Sequence, residues 1–390
     1  MANPHQNLIL ITGGHLTPAV AVVNELKKRG YINLVWVGHK FNQTGNKELS
    51  PEFITVRDLN IPFIELRTGK LTRKWTFQTL LPGIINFFLI FWGFLKSFYI
   101  ILRYRPRLVL SFGGYLAVPV VLWGKIFRSR IITHEQTIVV GLANRIIAKF
   151  ADKILISWVN SRKYFNPKKT VLTGNPIRRD IFFVKSDTLT KDFDKKMPTL
   201  LIYGGNQGSH EINKRIFNIL EKLLEDCNII HQTGNSTITN DYKKALEIKE
   251  SLPISLKWRY QVRDYILSHE VGEALNKADL IFSRSGANSV SEYLALGKLC
   301  ILMPIPWASH DEQTKNANLV ASTGLGYVLP QKNSLASETV YQTILMGLNQ
   351  LKSGKGFNDE DIQKCIEYAK SLVVLDAPQN VANEVDKLIN

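Results

Sequence analysis

The sequence predicts an α/β protein made of two doubly wound parallel sheets. Three observations indicate this class: short apolar runs alternate with helical segments, a glycine-rich turn follows the first run of each half, and a polar segment separates the halves. Parallel strands are buried on both faces and therefore read as short, continuous apolar runs. The 390 residues, 45% of them hydrophobic, are enough to fill two separate cores.

The first half opens with a predicted strand at Leu8–Ile11, which is followed by the turn Gly13-Gly14 and a helix over about 18–29. Further apolar runs, separated by helical patterns, are predicted as strands of the same sheet. These runs are 34–37, 108–110, 130–133 and 153–156.

A second unit of the same kind begins after residues 184–198, which are highly polar and end in proline. We predict a strand at Thr199–Tyr203, the turn Gly204–Gly208 and a helix over about 211–224. Later apolar runs predict strands at 228–231, 279–282 and 300–303. The predicted domains are therefore 1–183 and 199–376, joined by a linker over 184–198, with a helix over 377–390 expected to return to the first domain.

The charge is concentrated in the first half of the chain. Residues 1–185 hold 27 of the 49 Lys and Arg but 8 of the 33 Asp and Glu, so that half carries +19 and the remainder −3. Such asymmetry indicates that one half meets an anionic surface, either nucleic acid or a membrane. Nucleic acid is the poorer explanation because it leaves the apolar run over 87–92 without a role, so no nucleic-acid partner is predicted.

An uncharged segment over 75–95 would span about 31 Å as a helix, which is enough to cross a bilayer. Basic residues flank it on both sides, against the usual charge bias of spanning helices. Three alternatives stay open: a helix docked on the membrane interface, a buried helix and a true span. In the first of them the membrane contacts are Phe87, Phe88, Phe91 and Trp92.

The cysteine pattern and the N-terminal residues both predict a cytoplasmic protein. The three cysteines are widely spaced and form no C-x-x-C pair, as expected of reduced thiols. The apolar run Leu8–Ile11 is too short for the core of a signal peptide.

The segment 278–292 predicts a phosphate-binding turn, since an apolar strand, Ser285-Gly286 and a helix start follow one another. Ser289 and Glu292 fit a capping box at that helix start. Backbone N–H groups and the helix dipole would stabilise a diphosphate, and Glu292 lies about 9 Å further along the helix, one sugar away. The alternative is an ordinary strand-to-helix connection.

Two turns in the first half are candidates for the part of the site where the reaction takes place. In Thr12-Gly13-Gly14-His15, small residues allow backbone N–H groups to approach an oxyanion, and His15 is a candidate general base. The alternative for His15 is a structural or capping role. The turn Ser111–Tyr115 follows another predicted strand and is a weaker candidate for a second phosphate.

Other enzyme classes fit poorly. The turn Gly204–Gly208 is only half of a dinucleotide fingerprint and lacks the expected acidic residue, and no Walker A motif is present. Asp192 and Asp194 lie in the polar segment without strand support, so no metal site is predicted. The amides and carboxylates over 310–316 suit sugar hydroxyls, with a solvated helix start as the alternative.

Taken together, these motifs resemble those of the MurG family of bacterial N-acetylglucosaminyltransferases, in glycosyltransferase family 28. The resemblance covers most of the chain and keeps the order of the motifs. The matching segments are 12–15 with Pro18, 112–115, 134–136 with 141–144, 174–178, 204–208, 283–286 with 291–292, and 313–317.

The resemblance implies a GT-B fold, in which two such domains face a cleft, with a C-terminal domain that binds UDP-GlcNAc without metal or other cofactor. By position, Glu292 would bind the ribose, Ile266 the uracil through its backbone, and Gln313 the GlcNAc hydroxyls. The remaining donor-binding residues are Thr12, Gly13, Gly14, Thr137, Arg178, Asn206, and, for the diphosphate, Ala287, Asn288, Ser289, Val290 and Ser291.

The same resemblance implies an N-terminal domain that docks on the cytoplasmic face of an anionic membrane and binds a lipid-linked muramyl-pentapeptide. His15 would remove the proton of the acceptor hydroxyl, which attacks the sugar C1 with inversion. The acceptor-binding residues would be Gly113, Gly114, Tyr115, His134, Glu135 and Gln136.

Three positions depart from the family pattern. Leu10-Ile11 stand where the first turn usually has a further glycine, Thr137 replaces an asparagine that contacts the donor sugar, and Asn206 replaces a serine. Two other functions therefore stay open: a transferase acting on another lipid such as diacylglycerol, and a membrane-docked scaffold without activity. His15 and Glu292 favour an enzyme.

Overall fold

A computed structural model describes residues 7–41, 49–69, 77–205, 208–267, 269–332, 334–352 and 360–389. The chain forms two compact units, one of Met1–Arg178 with Val374–Asn390 and the other of Arg179–Val373. Each unit contains a parallel sheet with helices on its faces.

The described part of the first unit has a seven-stranded sheet in the order β3-β2-β1-β4-β5-β6-β7, with all strands parallel. Its elements in chain order are β1 (Ile9–Thr12), α1 (Leu16–Lys28), β2 (Leu34–Gly38), α2 (Pro51–Asp58), β3 (Phe63–Glu65), α3 (Phe77–Tyr104), β4 (Leu108–Ser111), α4 (Ala117–Ile126), β5 (Arg130–Glu135), α5 (Leu142–Phe150), β6 (Lys153–Ile156) and β7 (Thr170–Leu172).

Both faces of this sheet are buried, as its continuous apolar strands predict. Leu10 packs on one face, and Ile9 and Ile11 pack on the other. Thr12, the last residue of β1, is in register with Val37 of β2 and with Ser111 of β4. The turns that follow β1 and β4 therefore leave the sheet side by side, where the strand order reverses. Ligands of open α/β sheets bind at this kind of position.

The second unit has a six-stranded parallel sheet in the order β10-β9-β8-β11-β12-β13 within its described residues. Its elements are β8 (Thr199–Tyr203), α6 (His210–Phe217), α7 (Leu220–Asp226), β9 (Asn228–Gln232), α8 (Asp241–Ser251), α9 (Ile254–Lys257), β10 (Tyr260–Arg263), α10 (Val271–Lys277), β11 (Leu280–Ser283), α11 (Ala287–Leu296), β12 (Leu299–Leu302), α12 (Glu312–Ala321), β13 (Gly326–Val328), α13 (Ser337–Lys352) and α14 (Glu360–Ser371).

The predicted single helix over 211–224 is wrong, because α6 ends at Phe217 and α7 begins at Leu220. The break lets Ile212 and Ile216 of the first helix, and Leu223 of the second, all reach the same core. Apolar periodicity alone does not reveal such a break.

The last helix, α15 (Ala377–Ile389), packs on α1 of the first unit. Val381 and Val385 are buried in the core beside Trp36. At the helix surface, Arg29 Nη1 lies 2.6 Å from Asp386 Oδ2, and the Tyr31 hydroxyl donates to Asp386 Oδ1 at 2.5 Å. Apolar burial and these polar contacts together hold the end of the chain on the first unit.

The polar segment predicted as a linker belongs to the second unit, whose boundary falls between Arg178 and Arg179. Leu189 in this segment is fully buried. The Glu273 carboxylate on α10 accepts the backbone N–H groups of Leu189 and Thr190 at 3.0 and 2.9 Å. A buried carboxylate thus supplies hydrogen bonds for a segment whose composition suggested an exposed connection.

Helix α3 has one buried and one exposed apolar face. Ile100 and Ile101 lie in the core of the first unit, and Gly93 is buried as well. The wholly buried alternative is wrong, because large side chains on the opposite face are exposed. These side chains are Phe87 (68%), Phe88 (67%), Phe91 (62%) and Trp92 (58%). Among the described helices, the part of α3 over Gly83–Tyr104 is the one with the length and composition to cross a membrane.

Candidate active site

The two glycine turns of the first unit are in direct contact. Gly14, after β1, has φ +146°, and a Cβ atom there would lie 2.5 Å from the carbonyl oxygen of Gly113. Gly113 and Gly114, after β4, have φ +81° and +80°. Such angles favour glycine, and the absence of side chains lets the two backbones approach. The sequence thus forms a compact polar surface at the carboxyl edge of β1 and β4.

We expect Gly14→Ala to destabilise the first unit by about 1–3 kcal/mol and to remove activity, because it adds both backbone strain and a clash. Gly30→Ala is the matched control: Gly30 has φ +87°, but a Cβ there meets no described atom within 4 Å. Urea denaturation compares the two variants. Equal losses of stability would show that the close contact between Gly14 and Gly113 does not contribute to the stability of the first unit.

His15 follows the first glycine turn and is the residue before the first turn of α1. The residue as a whole is partly exposed. Neighbouring protein atoms withdraw the ring from water and lower its pKa to about 4. The imidazole is therefore neutral at pH 7, the state in which it can accept a proton.

His134, at the end of β5, is fully buried, and its pKa is also lowered to about 4, by burial and then by the proximity of His15. His134 Nε2 lies 2.9 Å from the carbonyl oxygen of Gly174. Since a carbonyl only accepts, Nε2 carries the proton in the neutral ring and Nδ1 has a free lone pair. His15 is thus close enough to His134 to lower the pKa of that ring.

Several buried polar atoms at this edge have no hydrogen-bond partner within the described part of the chain. They are Thr12 Oγ1, His134 Nδ1 and both amide atoms of Gln136. Buried polar side chains nearly always have a partner, from the protein, water or a ligand. This group therefore has the donors and acceptors that a polar substrate requires.

Glu135 and Thr137 bind each other. The Glu135 Oε1 atom accepts the backbone N–H of Thr137 at 3.0 Å and its hydroxyl at 2.7 Å, and Oε2 accepts the Asn144 amide at 2.9 Å. Burial raises the pKa of Glu135, and these hydrogen bonds oppose the rise. The hydroxyl of Thr137, predicted to contact the donor sugar, is thus already engaged with Glu135.

Tyr115 has a partner that the sequence analysis missed, because its hydroxyl lies 2.8 Å from His39 Nε2. Burial and the nearby Glu52 raise the pKa of Tyr115. Glu52 Oε1 accepts a hydrogen bond from Trp36 Nε1 at 2.8 Å. A Cβ atom added to Gly13 would lie 1.6 Å from the same Glu52 oxygen. No spacing in the sequence connects α2 with the glycine turns, since the contact is tertiary.

In the second unit, helix α11 begins at Ala287, directly after Gly286. The predicted capping box is wrong, since Ser289 already lies within the helix and Gly286 is the N-cap residue. Gly286 provides no capping side chain, and a Cβ there would meet no described atom within 4 Å. In the first turn of α11, Asn288 and Ser289 are partly exposed, whereas Ala287 and Val290 are buried. The predicted diphosphate residues, Ala287, Asn288, Ser289, Val290 and Ser291, form this end of the helix, with Glu292 buried one residue further on.

Helix α12 is hydrogen-bonded to the turn that precedes α11. The Ser285 hydroxyl donates to the carbonyl oxygen of Gln313 at 2.8 Å, and Asn316 Nδ2 donates to the carbonyl oxygen of Ser285 at 3.0 Å. Gln313 Oε1 accepts the backbone N–H of Ile305 at 3.1 Å. The structure therefore brings Gln313 beside the α11 turn and engages its amide oxygen in a hydrogen bond.

Gln232, at the end of β9, is a further residue that the sequence analysis missed. Its Oε1 accepts the backbone N–H of Ile266 at 2.9 Å, and its Nε2 donates to the carbonyl oxygen of Gly205 at 2.7 Å. It thereby joins the glycine turn after β8 to the predicted uracil-binding segment. Asn206 lies outside the described residues. Arg178 is partly exposed and is the last residue of the first unit before the boundary.

Comparison with known proteins identifies the family. The model of the glycosyltransferase family 28 N-terminal domain matches residues 11–156, and that of its C-terminal domain matches 199–366. A protein of Clostridium botulinum, named UDP-N-acetylglucosamine–N-acetylmuramyl-(pentapeptide) pyrophosphoryl-undecaprenol N-acetylglucosamine transferase, is 34% identical over 347 residues, 88% of each chain. The chain belongs to the MurG family.

A second relative of the same name, from Geotalea uraniireducens, is 31% identical over 382 residues, 96% of each chain. The crystal structure of MurG from Acinetobacter baumannii has a TM-score of 0.63 at 23% identity, covering 97% of this chain and 99% of that one. The predicted GT-B fold is confirmed, and as a MurG-family member the chain is a glycosyltransferase. No group of three His, Cys, Asp or Glu side chains converges in the described ranges.

Proposed function

We propose that the chain transfers GlcNAc from UDP-GlcNAc to the muramyl hydroxyl of undecaprenyl-pyrophosphoryl-MurNAc-pentapeptide, with inversion and without a metal. The substrates come from the names of its MurG relatives. The observation that carries the proposal is the position of His15, a neutral imidazole on a glycine turn that contacts a second glycine turn.

The acceptor hydroxyl needs a base, because its oxygen becomes a strong nucleophile only as it loses its proton. In the proposed mechanism His15 takes that proton while the oxygen attacks C1 of GlcNAc. The bond between C1 and the phosphate oxygen breaks, and UDP leaves. The buried groups of His134 and Gln136 support this assignment, since they offer donors and acceptors for the polar part of the acceptor.

In the second unit we assign the donor to the turn before α11. The backbone N–H groups of the first helical turn and the positive end of the helix dipole would stabilise the diphosphate, as they do at many helix N-termini. Glu292 would bind the ribose, the amide nitrogen of Gln313 a GlcNAc hydroxyl, and the carbonyl of Ile266 the N3–H of uracil.

We also propose that the protein is peripheral on the cytoplasmic face of the membrane. The exposed apolar face of α3 and the +19 charge of residues 1–185 support this location. An apolar face flanked by cations is typical of elements that lie in the interface of anionic bilayers.

The stereochemistry and the metal requirement can be tested with purified protein, labelled UDP-GlcNAc and the lipid-linked acceptor. The donor sugar is α-linked, so inversion predicts a β-linked product, determined by NMR of the isolated disaccharide. We expect the rate to be unchanged after treatment with EDTA. An α-linked product would disprove inversion, and loss of activity that Mg²⁺ restores would disprove the metal-free mechanism.

A further inference from the structure

Arg284 is a buried guanidinium at the centre of the second sheet's carboxyl edge. It lies between β11 and α11, and its exposed fraction is 7%. Its Nε donates to the hydroxyl of Ser209, the N-cap residue of α6, at 3.0 Å, and its Nη1 donates to the carbonyl oxygen of Met303, just after β12, at 2.8 Å. The side chain thus connects the start of α6 with the segments that directly follow β11 and β12.

Both hydrogen-bond partners of Arg284 are neutral. Nη2 has no hydrogen-bond partner, and no carboxylate forms an ion pair with Arg284, among the residues that the structure describes. Glu211 acts on Arg284 only through space, and its carboxylate is paired with Arg215 at 2.5 Å. Glu211 is thus already paired with a second guanidinium, so Arg284 has no carboxylate of its own among the described residues.

A buried charge usually has a counter-charge, because desolvation of an unpaired ion is costly. Burial lowers the pKa of Arg284 to about 10, so the group remains charged at neutral pH. It stands beside the N-cap residue of α6 and directly before the α11 turn, and both helix ends favour anions. The charge, the burial and the two helix ends all favour an anionic ligand.

We infer that Arg284 binds the diphosphate of the nucleotide donor and supplies the positive charge that balances it. This inference rests on the proposed function and adds to it a residue outside the motif positions assigned to the donor. It also gives Arg284 a role in the reaction. When the C1–O bond breaks, its electron pair stays on the phosphate oxygen, UDP gains one negative charge, and a nearby guanidinium stabilises that charge.

UDP and uridine separate this role from a general role in folding, because they share the nucleoside and differ in the diphosphate. We expect Arg284→Gln to weaken UDP binding by about 10- to 100-fold in calorimetry, the range of a lost charge-assisted contact, and to change uridine binding by less than about twofold. Arg284→Lys keeps the positive charge but lacks the planar guanidinium with its several N–H donors. We therefore expect it to lose less UDP affinity than Arg284→Gln.

Arg259→Gln is the matched control, since Arg259 is also partly buried in the second unit but pairs with Asp194. It should leave both affinities unchanged. If Arg284→Gln does not fold, Arg284→Lys provides the test. A weaker affinity for UDP with an unchanged affinity for uridine supports the inference. Unchanged UDP affinity, or equal losses for UDP and uridine, would overturn it. A wild-type protein that neither binds UDP nor transfers GlcNAc would instead disprove the proposed function.

Discussion

Replacing His15 with alanine is expected to lower kcat by about 10²- to 10⁴-fold, the usual contribution of a general base. KM for UDP-GlcNAc should stay within about threefold of the wild-type value, because the substitution leaves every residue assigned to donor binding unchanged. Steady-state kinetics with both substrates varied would measure the two constants separately.

The pH profile distinguishes a base from a structural histidine. His15 acts as a base only when it is deprotonated, which is the case above its pKa of about 4. We therefore expect kcat to be constant from pH 8 to 6 and to fall below about pH 5 in the wild type, with this decrease absent in the variant. His269→Ala, which removes an exposed histidine of the second unit, is the control. Unchanged kcat in His15→Ala would exclude His15 as the base.

Replacing both Phe88 and Trp92 with serine is expected to weaken binding to anionic vesicles by about 10- to 100-fold. The side chains are 67% and 58% exposed on α3. Full burial of such a side chain contributes about 1.5–3 kcal/mol, and 1.4 kcal/mol corresponds to tenfold in affinity. Cosedimentation with phosphatidylglycerol vesicles measures the loss.

The same substitutions should change the free energy of unfolding by less than about 0.5 kcal/mol, because both side chains face away from the core. Ile238→Ser is the matched control: this exposed isoleucine, at 83%, lies in the second unit and should not affect vesicle binding. Undiminished vesicle binding by the double variant would show that α3 is not the docking surface.

The fold was predictable because its strands and turns have local signals. Buried parallel strands such as β1 are continuous apolar runs, and Gly14 and Gly113 mark turns with positive φ. The glycines also indicated that two turns would lie side by side, since both turns follow adjacent strands of one sheet. Motif resemblance then assigned roles to side chains such as His15.

The parts that were missed depend on tertiary contacts. Glu52 and Gln232 contact glycine turns that are distant in the sequence, and their own neighbours carry no motif. The segment over 184–198 is polar, yet Glu273 holds it on the second unit. Arg284 directly follows the buried strand β11, but its own burial and its lack of a carboxylate partner among the described residues are visible only in the structure.

The central claim is that this MurG-family chain transfers GlcNAc from UDP-GlcNAc to a lipid-linked muramyl-pentapeptide. The most direct test incubates purified protein with labelled UDP-GlcNAc and anionic vesicles that contain either this acceptor or diacylglycerol, followed by chromatography of the lipids. We predict label on the muramyl lipid and none on diacylglycerol. Label on diacylglycerol alone, or on neither lipid while UDP still binds, would contradict the account.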